Sequence, residues 1–414
     1  MAGIARGSFN ELEACVMTTA HRGARLHIAV LGRCNTGKST VLNLIAGQRA
    51  AIVSSKPGTT GDPVPLSFEL LPLGPVTLYD TAGLDEASDL GALRREAGRK
   101  ILARADMAVV VTDRTGLGPW EKELIEALRQ LETPFLLLFN KRDQGPPPEK
   151  DLAWCREQGI AHRCLSADRE TDPAPLREDL IGLAPAREAE PPLVTDLLPP
   201  GGVVVCVTPI DASAPKGRLI VPQVQALREL VEANHPSLVV QHTELPRALS
   251  LLRKPPDLVI TDSQVVREVN AMLPPDVPLT TFSLLFARLK GDFSLLLEGA
   301  RAIDALGPEA PVLIAESCSH HPQDDDIGRV KIPRLLRAYT KQDLHFAFCA
   351  GSDFPDDLSR YAMVLHCGGC MLNAREMRRR LRLCAAEGVP ATNYGMALSH
   401  AQGILERVAA PLVK

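Results

Sequence analysis

The sequence has no long uninterrupted apolar run, which excludes the simplest membrane and export signals. Its first 25 residues lack the apolar core of a signal peptide. No later stretch of the 414 residues approaches the roughly 18 consecutive apolar residues of a membrane span. We therefore expect a cytoplasmic protein that has no membrane partner.

A strong excess of one charge sign is also absent. The formal net charge is −4, with 23% charged and 45% hydrophobic residues. Nucleic-acid-binding proteins usually carry a basic field, so nucleic acid is not an expected partner. The length is sufficient for two or three domains, each with its own core.

The ten cysteines do not indicate a disulfide framework, because cytosolic thiols are kept reduced. Seven of them stand apart in the sequence, and each is predicted to be a small buried hydrophobic residue. These are Cys15, Cys34, Cys155, Cys164, Cys206, Cys349 and Cys384. The other three, Cys318, Cys367 and Cys370, lie close to histidines and are candidate metal ligands.

A nucleotide-binding motif follows the first strand-like segment. Residues 26–31, LHIAVL, precede GRCNTGKST, which matches G-x-x-x-x-G-K-[ST]. Glycines let backbone N–H groups surround phosphates, the lysine reaches the β and γ oxygens, and a hydroxyl binds Mg2+. The predicted phosphate-site residues are Gly32, Gly37, Lys38, Ser39 and Thr40, at the start of a predicted helix.

Three further motifs identify the base as guanine. VTLYDTAG supplies Asp80 to hold Mg2+ through water and Gly83 to sense a γ-phosphate, and FLLLFNKRD supplies Asn140, Lys141 and Asp143. Asp143 can accept two hydrogen bonds from guanine, a donor pair that adenine lacks. In CLSA, Ser166 and Ala167 fit the loop that closes over guanine O6. The sequence therefore predicts a GTPase rather than an ATPase.

This segment resembles the Era and TrmE-like group of small GTPases. In KPGTTGD, the resemblance makes Thr60 the switch threonine that ligates Mg2+, and it makes Asn35 the residue that helps to hold K+. Lys38, Thr60 and Gly83 would then carry hydrolysis. No glutamine follows DTAG, so we expect slow intrinsic turnover. The alternative for Asn35 is a loop residue that bonds its own backbone.

A Pro- and charge-rich stretch, APAREAEPP at residues 184–192, is typical of a linker. After it, strand-like and helix-like segments alternate, which predicts a parallel sheet covered on both faces. No glycine-rich phosphate loop occurs in this block. It is therefore predicted to have a structural or self-association role rather than a second catalytic site.

The candidate metal ligands follow two predicted strands near the C-terminus. PVLIAES, residues 311–317, stops at Cys318, and YAMVLH, residues 361–366, stops at Cys367. Ligands of doubly wound sheets bind at the carboxyl ends of strands, so both ends can meet in one crevice. A helix-forming stretch after Cys370 would favour thiolates there.

The spacing allows two metals. Three thiolates with one imidazole from His320, His321 or His366 would close a tetrahedral zinc site. An iron–sulfur cluster would use the three thiolates and leave one iron for an imidazole or an exchangeable ligand. The position of the ligands at α/β strand ends, rather than on small hairpins, favours the cluster.

The combination of this GTPase with AESCSHH and HCGGCMLN resembles the HydF family of FeFe-hydrogenase maturation GTPases, and the likeness covers nearly the whole chain. It implies a P-loop GTPase followed by two parallel, Rossmann-like α/β units. The expected divisions are a GTPase domain at 1–183, a linker at 184–192, a dimerisation domain at 193–264 and a cluster domain at 265–414.

The same resemblance implies that Cys318, Cys367 and Cys370 bind a 4Fe-4S cluster, with His320 and His366 as further possible ligands. It also implies a homodimeric scaffold that binds GTP, receives a binuclear iron precursor as cargo and delivers it to apo FeFe-hydrogenase. Two radical-SAM maturases would be the other partners.

Two other hypotheses remain open. One is a regulatory GTPase with a structural zinc domain, whose expected mark is a basic stripe; the densest candidate, REMRRRLRLC at 375–384, is predicted to be a solvated helix face. The other is an enzyme that uses its cluster catalytically. The absence of a C-x-x-x-C-x-x-C motif argues against radical-SAM chemistry in the second case.

Overall fold

The structure is a computed structural model, and its described residues form two compact units. It describes residues 25–47, 65–80, 102, 105–185, 191–210, 219–317, 326–351, 353–369 and 372–413. The units are Met1–Glu188 and Ala189–Lys414. Among the described residues, no helix has the length and apolar character needed to cross a bilayer.

The first unit is built on a six-stranded sheet in the order β2-β3-β1-β4-β5-β6, in which only β2 is antiparallel to its neighbour. Its elements are β1 (Leu26–Gly32), α1 (Lys38–Ala46), β2 (Pro65–Leu70), β3 (Gly74–Asp80), β4 (Met107–Thr112), α2 (Pro119–Gln130), β5 (Phe135–Phe139), α3 (Glu149–Glu157), β6 (His162–Cys164) and α4 (Ala174–Leu183). The sequence of β4, MAVVVT, is buried throughout, as expected for a central strand covered on both faces.

The second unit begins with a four-stranded parallel sheet in the order β10-β9-β7-β8. Its elements are β7 (Val204–Val207), α5 (Val221–Glu232), β8 (Ser237–Val240), α6 (Leu245–Ser250), β9 (Leu258–Thr261), α7 (Val266–Met272), β10 (Leu279–Thr281), α8 (Phe282–Lys290) and α9 (Phe293–Arg301). The predicted dimerisation domain ends at residue 264. The sheet continues past that residue, because β10 pairs with β9.

A second parallel sheet completes this unit in the order β12-β11-β13-β14. Its elements are β11 (Pro311–Glu316), α10 (Ile332–Thr340), β12 (His345–Ala350), β13 (Met363–His366), α11 (Ala374–Ala386), β14 (Ala391–Asn393), α12 (Tyr394–Ala401) and α13 (Leu405–Ala409). One apolar core contains residues of both sheets, such as Val205 and Ala315. The predicted fold class, a P-loop GTPase domain followed by further parallel α/β units, is confirmed.

The isolated cysteines that the structure describes divide into two groups, and Cys15 lies outside the described residues. Cys155, Cys206 and Cys384 are buried, and burial raises their pKa values to about 11, 12 and 12. For these three the prediction of small buried hydrophobic residues is confirmed. Three others are only partly buried. Cys34 lies in the loop after β1, and Cys164 and Cys349 lie on the edge strands β6 and β12.

Candidate functional site

The phosphate loop follows β1, where the sheet order changes direction. The chain continues from β1 to β3 on one side and then to β4 on the other, which opens a crevice at the carboxyl ends. Gly37 begins α1 with φ 91°, a conformation that glycine adopts without strain. A Cβ on Gly32 would lie 2.3 Å from the carbonyl oxygen of Val111, so the loop passes too close to β4 for a side chain.

Two of the residues predicted for Mg2+, Ser39 and Asp80, are adjacent in this crevice. Ser39 Oγ donates a hydrogen bond to Asp80 Oδ2 at 2.6 Å. Lys38, which follows Gly37 in the loop, donates through Nζ to the carbonyl oxygen of Arg33 at 2.8 Å. A Mg2+-nucleotide needs a hydroxyl, a carboxylate and an ammonium. Ser39 and Lys38 supply the first and the last from the phosphate loop, and Asp80 supplies the carboxylate from the end of β3.

Asn140 links the phosphate loop to the predicted guanine loop. Its Nδ2 donates to the carbonyl oxygen of Thr36 at 2.9 Å, and its Oδ1 accepts from the N–H of Ala167 at 2.9 Å. The side chain is buried, so both bonds are made away from water. Ser166 Oγ accepts from the N–H of Asp143 at 2.9 Å, which ties the two guanine-side segments together.

The other two residues that the sequence predicts to bind guanine from the NKRD motif, Lys141 and Asp143, contact charged or backbone groups. Lys141 has φ 59° and donates through Nζ to the carbonyl oxygen of Asn35. The carboxylate of Asp143 pairs with Arg169 at 3.1 Å. Asn35 itself has φ 62°, so its backbone turns in the left-handed region. The loop residues that the sequence predicted for base and ion recognition are thus held by bonds between the loops.

One ion pair in this unit was missed by the sequence reasoning. Arg33 pairs with Glu121, whose side chain is fully buried, and also donates to Thr115 Oγ1 at 3.0 Å. Glu121 Oε2 accepts from the N–H of Gly118 at 2.9 Å at the start of α2. The sequence signal for this arrangement was Glu121, which lies three residues after Gly118, the N-cap of α2. This ion pair fixes the phosphate loop to α2.

Six predicted or candidate site residues lie outside the residues that the structure describes. They are Thr60, Gly83, Cys318, His320, His321 and Cys370. Within the described ranges, no three cysteine, histidine, aspartate or glutamate side chains gather into a metal site.

The two strands that precede the cysteine motifs are neighbours. β11 and β13 are parallel, with Ala315 opposite His366. The sheet order changes direction between these strands, because the chain goes from β11 to β12 on one side and returns to β13 on the other. A ligand crevice is expected at this boundary.

Cys367 is joined to the end of β11 by three hydrogen bonds. Its N–H donates to the carbonyl oxygen of Ala315 at 2.9 Å, and its Sγ accepts from the N–H of Ser317 at 3.1 Å. Ser317 Oγ lies 2.8 Å from the same sulfur. An N–H and a hydroxyl beside one sulfur favour its thiolate form, which is the form that binds metals.

His366 is buried directly behind Cys367. Its Nδ1 lies 3.1 Å from the carbonyl oxygen of Cys367, and its Nε2 lies 2.9 Å from Nη1 of Arg380. A guanidinium only donates, so Nε2 accepts and Nδ1 donates, which defines a neutral imidazole. Burial, followed by the charge of Arg380, lowers the pKa of His366 to about 3. Both ring nitrogens are engaged by protein atoms in this arrangement.

Arg380 is the centre of a buried network on α11. Its Nε donates to Glu376 Oε1 at 2.8 Å, its Nη2 donates to the carbonyl oxygen of Gly351, and its guanidinium stacks over Phe354. The side chain is 1% exposed. The prediction that the charges of residues 375–384 form a solvated face is therefore wrong for Arg380. The sequence signal for this burial was Glu376, which lies four residues before Arg380 and can form an ion pair with it on the same helix face.

Comparison with known proteins places the first unit among GTPases. A family described as a 50S ribosome-binding GTPase matches residues 27–141. GTPase Der of Geobacter metallireducens is 33% identical over 164 residues, which cover 38% of this chain and 36% of Der. The tRNA modification GTPase MnmE of Moorella thermoacetica is 39% identical over 122 residues, which cover 28% of this chain and 25% of MnmE. The chain thus spans well under half the length of these relatives.

Solved structures with detectable likeness include a variant of Era from Aquifex aeolicus bound to GDP.AlF4-. It is 26% identical, has a TM-score of 0.33, and covers 39% of this chain and 57% of that chain.

The second unit matches two further families. The hydrogen maturase F dimerization domain matches residues 193–291, and the hydrogen maturase F tetramerization domain matches residues 294–411. Together these two matches cover more than half of the chain, and they follow a GTPase domain. The order and identity of these domains show that the chain belongs to the hydrogen maturase F (HydF) family.

Proposed function

We propose that this chain is a GTP-hydrolysing scaffold that binds a 4Fe-4S cluster, assembles the binuclear iron subcluster and delivers it to apo FeFe-hydrogenase. The observation that carries the proposal is the adjacency of β11 and β13 at the switch point of their sheet. The strands that precede the two cysteine motifs end side by side there, with Ser317 against Cys367. The GTPase domain and the two HydF domains support the same conclusion.

In the GTPase unit, Ser39 and Thr60 would ligate Mg2+, and Asp80 would hold it through water. Gly32, Gly37, Lys38 and Thr40 would bind the phosphates, and Gly83 would sense the γ-phosphate. Asn140, Lys141, Asp143, Ser166 and Ala167 would bind guanine, and Asn35 would help to hold K+. The hydrogen bond between Ser39 and Asp80 supports the Mg2+ assignment. Intrinsic turnover would be slow, because no glutamine follows DTAG.

In the cluster unit, Cys318, Cys367 and Cys370 would supply three thiolates. When bound, the cluster supplies an iron whose remaining position an imidazole or an exchangeable group can fill. His320 stays a possible ligand. His366 would fill that position only if one ring nitrogen left its present partner, since Nε2 bonds Arg380 and Nδ1 bonds the carbonyl oxygen of Cys367. Ser317 would donate its N–H to the sulfur of Cys367.

Self-association follows from the matched dimerization and tetramerization domains. We propose that the homodimer forms through β8, the edge strand of the first sheet in the second unit. Val239 on this strand is 45% exposed, and Val231 on α5 is 66% exposed. An apolar edge strand is a template for pairing with a second copy of the chain. The remaining proposed features are two radical-SAM partners, no nucleic acid or membrane partner, and a cytoplasmic location.

The decisive experiment is to load the purified protein with the binuclear precursor and to test activation of apo-hydrogenase with and without GTP. We expect hydrogenase activity only with loaded protein. The control is Lys38→Ala, which should keep its iron but lose the response to GTP. A colourless wild-type protein that contains zinc and no iron would instead support a regulatory GTPase with a structural zinc domain.

A further inference from the structure

Arg33, the second residue of the phosphate loop, carries a backbone carbonyl that contacts the phosphate lysine. This carbonyl oxygen accepts from Nζ of Lys38 at 2.8 Å and from Oγ1 of Thr36 at 3.0 Å. In a loop of this kind the lysine reaches the β and γ phosphates. The position of the Lys38 ammonium is therefore tied to the position of the Arg33 backbone.

The side chain of Arg33 leaves the phosphate loop and binds the turn at residues 113–118. Its Nη2 donates to Oγ1 of Thr115 at 3.0 Å and to the carbonyl oxygen of Gly116 at 3.1 Å. Its Nε donates to Glu121 in the first turn of α2. One guanidinium can make these contacts together because its donors form a rigid fork.

The turn that receives Arg33 is itself held by other bonds. Oγ1 of Thr112 donates to the carbonyl oxygen of Gly116 at 2.7 Å. Oδ2 of Asp151 on α3 accepts from the N–H of Leu117 at 2.9 Å. A Cβ on Gly116 would lie 2.0 Å from that carboxylate oxygen, so the turn packs closely against α3. Arg33 therefore binds a fixed partner rather than an adaptable one.

The ion pair with Glu121 is costly to break. The Glu121 side chain is fully buried, and its second oxygen accepts from the N–H of Gly118 at 2.9 Å. A buried carboxylate that loses its cation keeps its desolvation cost without the compensating attraction. The guanidinium of Arg33 is therefore held firmly at this end of the phosphate loop.

We propose that Arg33 is a positioning residue for GTP. Its guanidinium fixes the carbonyl that contacts the Lys38 ammonium, so the loop presents that ammonium to the phosphates in a pre-formed arrangement. A loop that is ordered in advance loses less conformational entropy on binding, and it therefore binds its ligand more tightly. The inference rests on the proposed function only in its assumption that this loop binds the phosphates of GTP.

This role concerns the phosphates and not the base. Loss of the Arg33 contacts should weaken nucleotide binding and leave the preference for guanine, which is assigned to Asp143, unchanged. The ratio of the dissociation constants for ITP and GTP measures that preference, because ITP lacks the exocyclic amine. An ion pair that served stability alone would lower the thermal midpoint and leave the GTP affinity of the folded protein unchanged.

The test compares Arg33→Lys with wild type in the full-length protein. Lysine keeps a positive charge for Glu121, but it lacks the fork that joins Glu121 to the turn. The control is Arg129→Lys, which makes the same change elsewhere on α2, where Arg129 bonds Gln158. The dissociation constants for GTP and ITP in the presence of Mg2+ and the thermal midpoint are measured for each.

We expect Arg33→Lys to bind GTP about tenfold more weakly, because charge-assisted hydrogen bonds are lost, with an unchanged ITP-to-GTP ratio and a thermal midpoint near wild type. Arg129→Lys should bind GTP like wild type. Wild-type GTP affinity in folded Arg33→Lys overturns the inference. A weaker affinity accompanied by a lost preference for guanine, or an equal loss of affinity in Arg129→Lys, also overturns it.

A second variant decides if Arg33→Lys does not fold. Arg33→Met combined with Glu121→Met removes both charges, so that neither is left buried alone. Weaker GTP binding at an unchanged ITP-to-GTP ratio in this double variant supports the inference, and wild-type affinity overturns it. A wild-type protein that does not bind GTP would refute the proposed function instead.

Discussion

At the scale of single residues, hydrogen-bond partners distinguish groups that the sequence presents as equivalent candidates. Asn140 uses both ends of its amide to join two loops of the GTPase unit. His366 uses both ring nitrogens for protein contacts, whereas Cys367 keeps its sulfur at the edge of the crevice beside Ser317. Arg380 is 1% exposed, whereas the adjacent Arg379 is 26% exposed, although the sequence presents both as members of one arginine run. Each difference arises from contacts between distant segments.

We expect Asn140→Ala to weaken GDP binding strongly. The substitution leaves the carbonyl of Thr36 and the N–H of Ala167 without their partner in a buried position. Each unsatisfied buried group costs about 1–3 kcal/mol, so affinity should fall at least tenfold. Fluorescent-GDP titration measures the change. Gln130→Ala, an exposed position on α2, should bind GDP like wild type; equal affinity of both variants would contradict the bridging role of Asn140.

Glu376 gives the second unit a pH-dependent stability. Burial opposes its ionisation, but its hydrogen bonds and ion pairs with Arg379 and Arg380 outweigh burial and lower its pKa below 4.5. A lowered folded-state pKa contributes stability that is present above the unfolded pKa and lost as the pH falls through the folded pKa. Glu376→Gln should therefore cost about 3–5 kcal/mol at neutral pH, because it leaves Arg380 buried without its counter-ion.

Denaturant unfolding at neutral pH and below pH 4.5 tests this expectation. The difference between wild type and Glu376→Gln should shrink on the acid side. Glu232→Gln provides the control, since its ion pair with Arg228 is exposed. A difference that stays constant between the two pH values would show that the carboxylate of Glu376 does not titrate with folding.

At the scale of elements, strand position decides what each apolar run does. β4 is central in its sheet and buried throughout, so its valines contribute to the core alone. β8 has a similar composition, SLVV, but lies at a sheet edge and stays partly exposed. The same residue types therefore form the core in one strand and, in the other, leave apolar surface for the proposed association.

Val239→Lys should dissociate the proposed dimer into monomers. A lysine on the exposed edge of β8 places a charge where a second copy would pair, and edge lysines are a common means of blocking such pairing. Light scattering coupled to size-exclusion chromatography measures the molar mass. Leu131→Lys, which also replaces an exposed apolar residue but lies in the first unit, should leave the mass unchanged. A dimeric Val239→Lys would place the interface elsewhere.

At the scale of the whole molecule, the chain consists of two compact units, and each contains one of the two predicted sites. The nucleotide residues lie in Met1–Glu188, and the cysteine motifs lie in Ala189–Lys414. Each unit builds its crevice at a switch point of a largely parallel sheet. The two sites are therefore expected to be separable by substitution.

A reciprocal pair of variants tests this separation. Lys38→Ala should abolish GTP binding and keep the iron content of wild type, because this proposed phosphate ligand lies in the first unit and the cysteine motifs lie in the second. Cys367→Ser should lose the cluster absorbance and keep nearly all GTP hydrolysis. Nucleotide titration, iron analysis and phosphate release are measured on both. Loss of both properties in either variant would contradict the modular picture.

The sequence by itself determined the motifs whose geometry is local. The phosphate loop, the NKRD segment and the cysteine spacings are short, and their chemistry follows from residue type and order. The parallel α/β fold was also predictable, because alternating strand and helix patterns allow few other arrangements. The position of β10 was not, since only its pairing with β9 shows that the sheet continues past residue 264.

Tertiary structure alone decided which distant residues share a site. It brought Ser317 against Cys367, bonded Nε2 of His366 to Arg380, and placed Nζ of Lys290 against the carbonyl oxygen of Gly369. These contacts join residues separated by 50, 14 and 79 positions in the chain. Sequence periodicity reports the local backbone and the buried face of each element, but strand order and the packing between elements determine which side chains meet.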